Sequence, residues 1–226
     1  NIMTHIENEI KQLKDSVIEM WNLVLSQLHR AKECIEENDE NLANEIIINE
    51  KKIDAYELKI NMDCENILAL FNPVANDLRF ILSVIRINAD LERIGDYARS
   101  IAKIIREEKK SFSKESLEKT NISGMLSVAI NMLSNTLTSF ENENKNTLQF
   151  VFKSDSALDK INKHANEIIT ELIKKYPDQI PNHLNLLSII RRIERMGDQT
   201  KAIAEEIVFY LEAKVLRHQK KKDKLI

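Results

Sequence analysis

The sequence has little that bends a chain. Of its 226 residues only three are glycine and three are proline. So few turn-formers, in a chain that is 31% charged, point to a handful of long amphipathic helices rather than many short elements. Cysteine is almost absent: Cys34 and Cys64 cannot make a disulfide framework, and reduced thiols are the expectation. Net charge is only −3, with both signs interspersed, so there is no electrostatic footprint for nucleic acid. No apolar run approaches a membrane span and no secretory signal is visible, which sets a cytoplasmic expectation. No glycine-rich phosphate loop occurs, so nucleotide hydrolysis is not expected. The five histidines show no i, i+3 or i, i+4 pairing, and Glu-x-x-His is missing. That argues against a ferritin-like di-iron oxidase.

What is present is a periodic pattern, and 43% hydrophobic content is ample for a core. Ile6, Ile10, Leu13, Val17, Met20, Val24 and Leu28 fall at steps of four and three, predicting a first helix from about Ile2 to Glu37 that packs nearly parallel to its neighbours. Asp39 is placed to cap a second helix, Glu40 to about Leu70, striped by Leu42, Ile46, Ile53, Tyr56, Ile60, Ile67 and Phe71. Asn72-Pro73 ends it, and Pro73 or Asn76 is expected to open a third helix from about Val74 to Glu108. Residues 107–121 are polar and without periodicity, and read as the connection between two halves. A fourth helix is predicted from about Ser123 to Glu141, with Met125, Leu126, Ala129, Leu133 and Leu137 inward. A fifth runs from about Thr147 to Lys175, and a sixth, opened by Pro181, from about Asn182 to Arg217. Trp21 and the phenylalanines read as core. The basic end, Lys214 to Lys224, reads as a solvated helix terminus.

One unit occurs twice. Glu92-Arg93-Ile94-Gly95-Asp96 returns 102 residues later as Glu194-Arg195-Met196-Gly197-Asp198. Each copy places carboxylates at i and i+4 on one helix face. In the third helix the stripe Leu78, Leu82, Ile85, Ala89 runs on into Glu92 and Asp96, and Leu184, Leu187, Arg191, Glu194 and Asp198 repeat it. The acids are therefore expected to continue an inward, apolar face. The preceding helix of each half adds a pair at the same spacing: Glu50 and Asp54, with Glu57 next, then Asp155 and Asp159. The economical reading is a duplicated three-helix bundle.

Four carboxylates on a helix interface repel one another and lose hydration, so something must compensate. Proton sharing, basic partners or a metal would serve, and an all-oxygen set suits a hard or borderline divalent or trivalent cation. The bland alternative is exposed acids bridged to lysines, or acids neutralised by Arg93 and Arg195. Those arginines stand one position beyond each Glu, about 100° around the helix, and are expected to face outward. Gly95 and Gly197 sit mid-helix, where glycine costs about 1 kcal/mol relative to alanine. A missing side chain there permits close helix approach, or room for an ion.

The segments Asn72-Pro73-Val74-Ala75-Asn76-Asp77-Leu78-Arg79, Asn88 to Asp96 and Arg192 to Asp198, with Thr4-His5 and Glu36 to Asp39, resemble the PhoU family of phosphate-uptake regulators along essentially the whole chain. The resemblance implies an all-α fold of two tandem antiparallel three-helix bundles related by pseudo-two-fold symmetry, over residues 1–112 and 113–226. It implies a cytoplasmic, often dimeric protein that is not an enzyme and that negatively regulates the phosphate regulon. Its implied partners are the ATPase subunit of an ABC phosphate transporter and a sensor histidine kinase, with membrane contact only through them. It also implies metal clusters, iron foremost with zinc or another ion as variants, held by Glu50, Asp54, Glu92 and Asp96 in the first half. In the second half the ligands would be Asp155, Asp159, Glu194 and Asp198. Two departures stand out. Asn76 occupies a position where the family often has a small hydroxyl residue. Arg191-Arg192 precede the second motif where Ala89-Asp90 precede the first, so the two sites should differ in charge. The readings that compete with a metal-bearing adaptor are a carboxylate-bridged metalloenzyme and a purely structural scaffold without metal.

Overall fold

A computed structural model describes residues 5–108 and 110–213. Within them the chain forms seven α-helices and no strand. These are α1 (His5–Glu37), α2 (Glu40–Phe71), α3 (Ala75–Glu107), α4 (Lys114–Thr120), α5 (Ile122–Asn142), α6 (Leu148–Lys175) and α7 (Ile180–Glu212). The shortage of glycine is met at the helix ends by asparagine. Asn38, Asn72 and Asn121 take φ of 51°, 46° and 50°, the left-handed conformation that stops a helix and that asparagine tolerates better than most residues. The Asp39 side chain accepts from the N–H groups of Asn41 and Leu42 at 2.8 and 3.0 Å, starting α2 where the sequence placed it.

Helices α1 to α3 form one three-helix bundle and α5 to α7 another. Neighbours run antiparallel. Tyr56 of α2 donates to Glu19 of α1, Lys59 to Ser16, and Gln27 of α1 to the backbone of Ile46, so one chain rises as the other falls. The halves meet through α3 against α7 and α1 against α5 and share one core. Trp21 is fully buried, donates to the Leu133 carbonyl at 3.2 Å and packs tilted against Phe140, with ring centroids 5.4 Å apart. Phe80 and Tyr210 complete that aromatic cluster across four helices. Phe150, by contrast, is 45% exposed and not a core residue. Cys34 and Cys64 are free and buried, and burial pushes both thiols up to about 12, so neither is poised to react.

Four expectations need correction. Neither Pro73 nor Asn76 opens α3: Val74 holds the cap position, offers no side-chain bond, and the helix begins at Ala75. Residues 107–121 are not merely a connection. The Ser113 hydroxyl accepts from the Ser116 N–H and starts α4, Phe112 is buried, and Glu115 bonds Lys175 and Tyr176 at the end of α6. The stripe leading into the acidic motif of α3 is not the core face. Leu78 and Leu82 are 37% and 40% exposed, while Ile81, Val84, Leu91, Ile94, Ala98 and Ile101 are buried. Helices α1, α2 and α7 all pack on α3, so its buried surface is a broad band, and the predicted stripe lies one position, about 100°, to its side. In α7, likewise, Leu184 is 51% exposed and Ile193 and Met196 are buried. The basic residues from Lys214 to Lys224 lie outside the described residues, as does the predicted end of the last helix near Arg217.

Candidate metal centres

The acids of both halves stand at the edge of the core, where the second and third helix of each bundle meet. In the first half, Glu50 of α2 is 1% exposed and faces half-buried Glu92 and Asp96 of α3. Each of the three offers an oxygen within 4.8 Å of the other two. Asp54 is exposed and stands outside that group, though its charge acts on both Glu50 and Glu92. Glu57, one turn further along α2, also acts on Glu92. In the second half the group is Asp155, Asp159 and Asp198. Asp155 is 1% exposed, Asp159 half-buried and Asp198 exposed. Glu194 stands outside this group, half-buried, with its carboxyl held above the ordinary range by burial and by Asp198 and Asp159. Six of the eight predicted residues thus come together, three per half, and the two omitted are not equivalent positions.

The halves differ most in how the buried acid is satisfied. Both carboxylate oxygens of Glu50 are buried and without a hydrogen-bond partner. Burial, then the charges of Asp96 and Asp54, push its carboxyl up to about 8 against the opposing Arg99. Its counterpart Asp155 accepts from Lys201 Nζ at 2.7 Å. Burial works against that lysine's charge, but the bond and the surrounding aspartates hold it above its ordinary value. Arg99 occupies the position of α3 that Lys201 occupies in α7, three residues past the motif Asp, and it pairs with Asp96 rather than with Glu50. Arg93 and Arg195 are both exposed, facing outward as expected. The position that mattered was i+3 from the aspartate, a spacing that places side chains side by side on a helix.

The glycines divide the same way. A Cβ on Gly95 would lie 3.3 and 3.4 Å from the two oxygens of Glu50 and 2.9 Å from Ile53 Cδ1. On Gly197 it would meet Leu158 Cδ1 at 2.4 Å and no carboxylate. Gly95 therefore leaves space over the orphaned acid, whereas Gly197 serves helix approach alone.

The donor set fits a hard or borderline cation. It is all carboxylate oxygen, and in the first half it contains a buried carboxyl group with no hydrogen-bond partner on either oxygen. Lone acidic residues on a charged helix carry no such implication, but a buried carboxylate without a donor does, because leaving it unpaired costs more than pairing it returns.

A PhoU domain family model matches residues 17–105 and 122–207, one match in each half. The chain is 30% identical over 216 residues to the phosphate-specific transport system accessory protein PhoU homolog of Xylella fastidiosa, covering 93% of this chain and 88% of that protein. It is 29% identical over 208 residues to PhoU homolog 1 of Thermotoga maritima, covering 91% and 88%. The fold superposes on the crystal structure of PhoU from Pseudomonas aeruginosa with a TM-score of 0.86 at 26% identity, covering 93% of this chain and all of that one. For the phosphate transport system regulatory protein PhoU of Streptococcus pneumoniae the TM-score is 0.81 at 27% identity, with 94% and 99% covered.

Proposed function

The chain belongs to the PhoU family, and from that premise we propose that it is a metal-binding regulator of phosphate uptake and not a catalyst. In this reading it acts as a cytoplasmic helical adaptor, dimeric in solution. It restrains the phosphate regulon by contacts with the ATPase subunit of an ABC phosphate transporter and with a sensor histidine kinase. Its relatives' names, which describe accessory proteins of a phosphate-specific transport system, support the regulatory role. No helix among the described residues is long and apolar enough to cross a membrane, which accords with membrane contact through partners.

The observation that carries the metal reading is Glu50, buried with two unpartnered oxygens beside Glu92 and Asp96. Those three would hold the metal, iron or else zinc or another divalent or trivalent ion, with Asp54 and Glu57 close by in charge. Asp155, Asp159 and Asp198, with Glu194 adjacent, would hold a second. A bound cation supplies the positive charge that lets Glu50 ionise where it stands, and so fixes α2 against α3. The surface presented to partners would then depend on metal loading.

The test is metal analysis of the purified chain beside Glu50→Gln, Glu92→Ala and Asp96→Ala. Loss of metal from these variants with helicity intact is the expected result, and unchanged metal content sinks the ligand assignment. In cells, deletion of the gene should raise a phosphate-starvation reporter in rich phosphate. A reporter that stays silent removes the regulatory role.

A further inference from the structure

Beside the first acidic cluster, on the face where the two halves meet, α3 and α7 enclose a cleft of about 580 Å³. Its lining is cationic. Arg99 and Lys103 come from α3, and Arg191, Arg192 and Arg195 from α7, against a single acid, Asp96. The positions repeat at three and four on each helix, so two helical faces present their cations to one another across the opening.

Three of these five charges are not neutralised by a carboxylate, while the charge of Arg195 acts on Glu194 and Asp198. Among the described residues Arg99 pairs with Asp96, while Lys103, Arg191 and Arg192 have no carboxylate partner. Arg192 is half-buried and spans the cleft on neutral groups. Its Nε donates to Ser100 Oγ at 2.7 Å, and its Nη1 to the Ser188 carbonyl at 2.9 Å and to the Ser188 hydroxyl. Like charges gathered in a concave, partly desolvated place repel, and such a place concentrates anions. Guanidinium forks match the paired oxygens of a phosphoryl group, and Ser100 and Ser188 add hydroxyls beside them. The space exceeds what one tetrahedral oxyanion fills, and Leu184 and Leu187 line part of it, leaving room for a second phosphoryl group or an organic moiety.

We propose that the cleft between α3 and α7 binds a small phosphoryl anion, either free phosphate or a polyphosphorylated metabolite. The site goes beyond the metal reading and does not depend on it. Two of its α7 residues have no basic counterpart in the first half, since Ala89 and Asp90 stand where Arg191 and Arg192 do.

The experiment is isothermal titration of the full chain in chelator, so that metal plays no part, with inorganic phosphate, pyrophosphate and ATP in separate arms. Saturable binding is expected in at least one arm. A preference for pyrophosphate or ATP assigns the cleft to a polyphosphorylated ligand, and equal or tighter orthophosphate binding assigns it to free phosphate. Lys103→Gln combined with Arg191→Gln removes two exposed cations without touching the core and should weaken binding about tenfold or more, equivalent to about 1.4 kcal/mol. Lys153→Gln, on the exposed side of α6, should leave binding unchanged. If none of the three anions binds saturably, or if the Lys153 variant loses as much as the cleft variant, the proposal is wrong.

Discussion

Lys201 donates to Asp155 across 2.7 Å inside the second acidic group, and Glu50, the equivalent buried acid of the first, has no such partner. The duplicated halves therefore solve one electrostatic problem differently. The second carries its own cation. The first leaves a carboxylate that must hold a proton or attract an ion. Arg99, at the corresponding position of α3, reaches Asp96 instead.

It follows that the two sites should fill in order. Metal titrated into the stripped chain should enter the first half first, because an incoming ion in the second must displace or repel Lys201. Lys201→Met should destabilise the metal-free protein, since it leaves Asp155 buried and unpaired, and should tighten the weaker site. Stoichiometry and affinity from isothermal titration check this, and two equal sites in the wild type would contradict it.

Glu50 also sets a pH dependence. Its carboxyl is raised to about 8 in the fold, mainly by burial, against about 4.5 when unfolded. An acid with a raised folded value binds its proton more tightly in the native state. Stability of the metal-free protein should therefore be fullest below pH ~4.5 with respect to this group, decline as pH rises, and level off above about 8. The penalty at high pH is on the order of a few kcal/mol. Glu50→Gln, which keeps the shape without the charge, should flatten the decline and be the more stable form at alkaline pH in chelator. Urea melts across the range measure it. A wild-type profile that rises toward pH 8, with a Gln variant that follows it, would falsify the account.

The glycines offer a paired substitution. Gly197→Ala gains about 1 kcal/mol of helix propensity and loses a similar amount as the Leu158 tip rotates away, so thermal stability should move little and metal binding not at all. Gly95→Ala meets Ile53 and presses on the Glu50 oxygens, so its metal affinity should drop. Equal metal loss in both variants would mean that the glycines serve packing only.

Much of this is legible in the sequence. The Leu13, Val17, Met20, Val24 run of α1 is buried as read, and Asp39 caps α2. The acids emerged from their spacing, because i and i+4 on two neighbouring helices can converge in few ways. What failed was rotation about the helix axis. Helix α3 is packed on three sides and carries apolar residues around much of its circumference, so Leu78, Leu82 and Ile85 form as good a stripe as Ile81, Val84 and Leu91. Periodicity finds a face without saying which neighbour covers it. The Lys201 contact was hidden for a different reason. A lysine three residues past an aspartate is common on solvated helices, and only the depth of Asp155 on α6 makes this one an internal counter-ion. The left-handed helix ends were not read from the sequence, because Glu143 and Ala213 take the same conformation as the asparagines and no residue type marks them all.

Asp96 belongs to the acidic group and also lines the cationic cleft, where it pairs with Arg99, and that pair would couple the two proposed sites. The Arg99 guanidinium is held on Asp96. An ion bound by Glu50, Glu92 and Asp96 competes for that carboxylate and frees Arg99, which also lines the cleft, for an anion there. Metal loading should therefore tighten phosphoryl-anion binding, on the order of fivefold or more, and by linkage the anion should tighten metal binding by the same factor. Arg99→Gln should keep metal binding and abolish most of the coupling, because the side chain that changes partner is gone. Residual coupling in that variant would measure the direct attraction between ion and anion. Titrations of pyrophosphate with and without metal, in wild type and Arg99→Gln, decide the matter. An anion affinity indifferent to metal would leave the cleft and the acidic cluster as two independent sites.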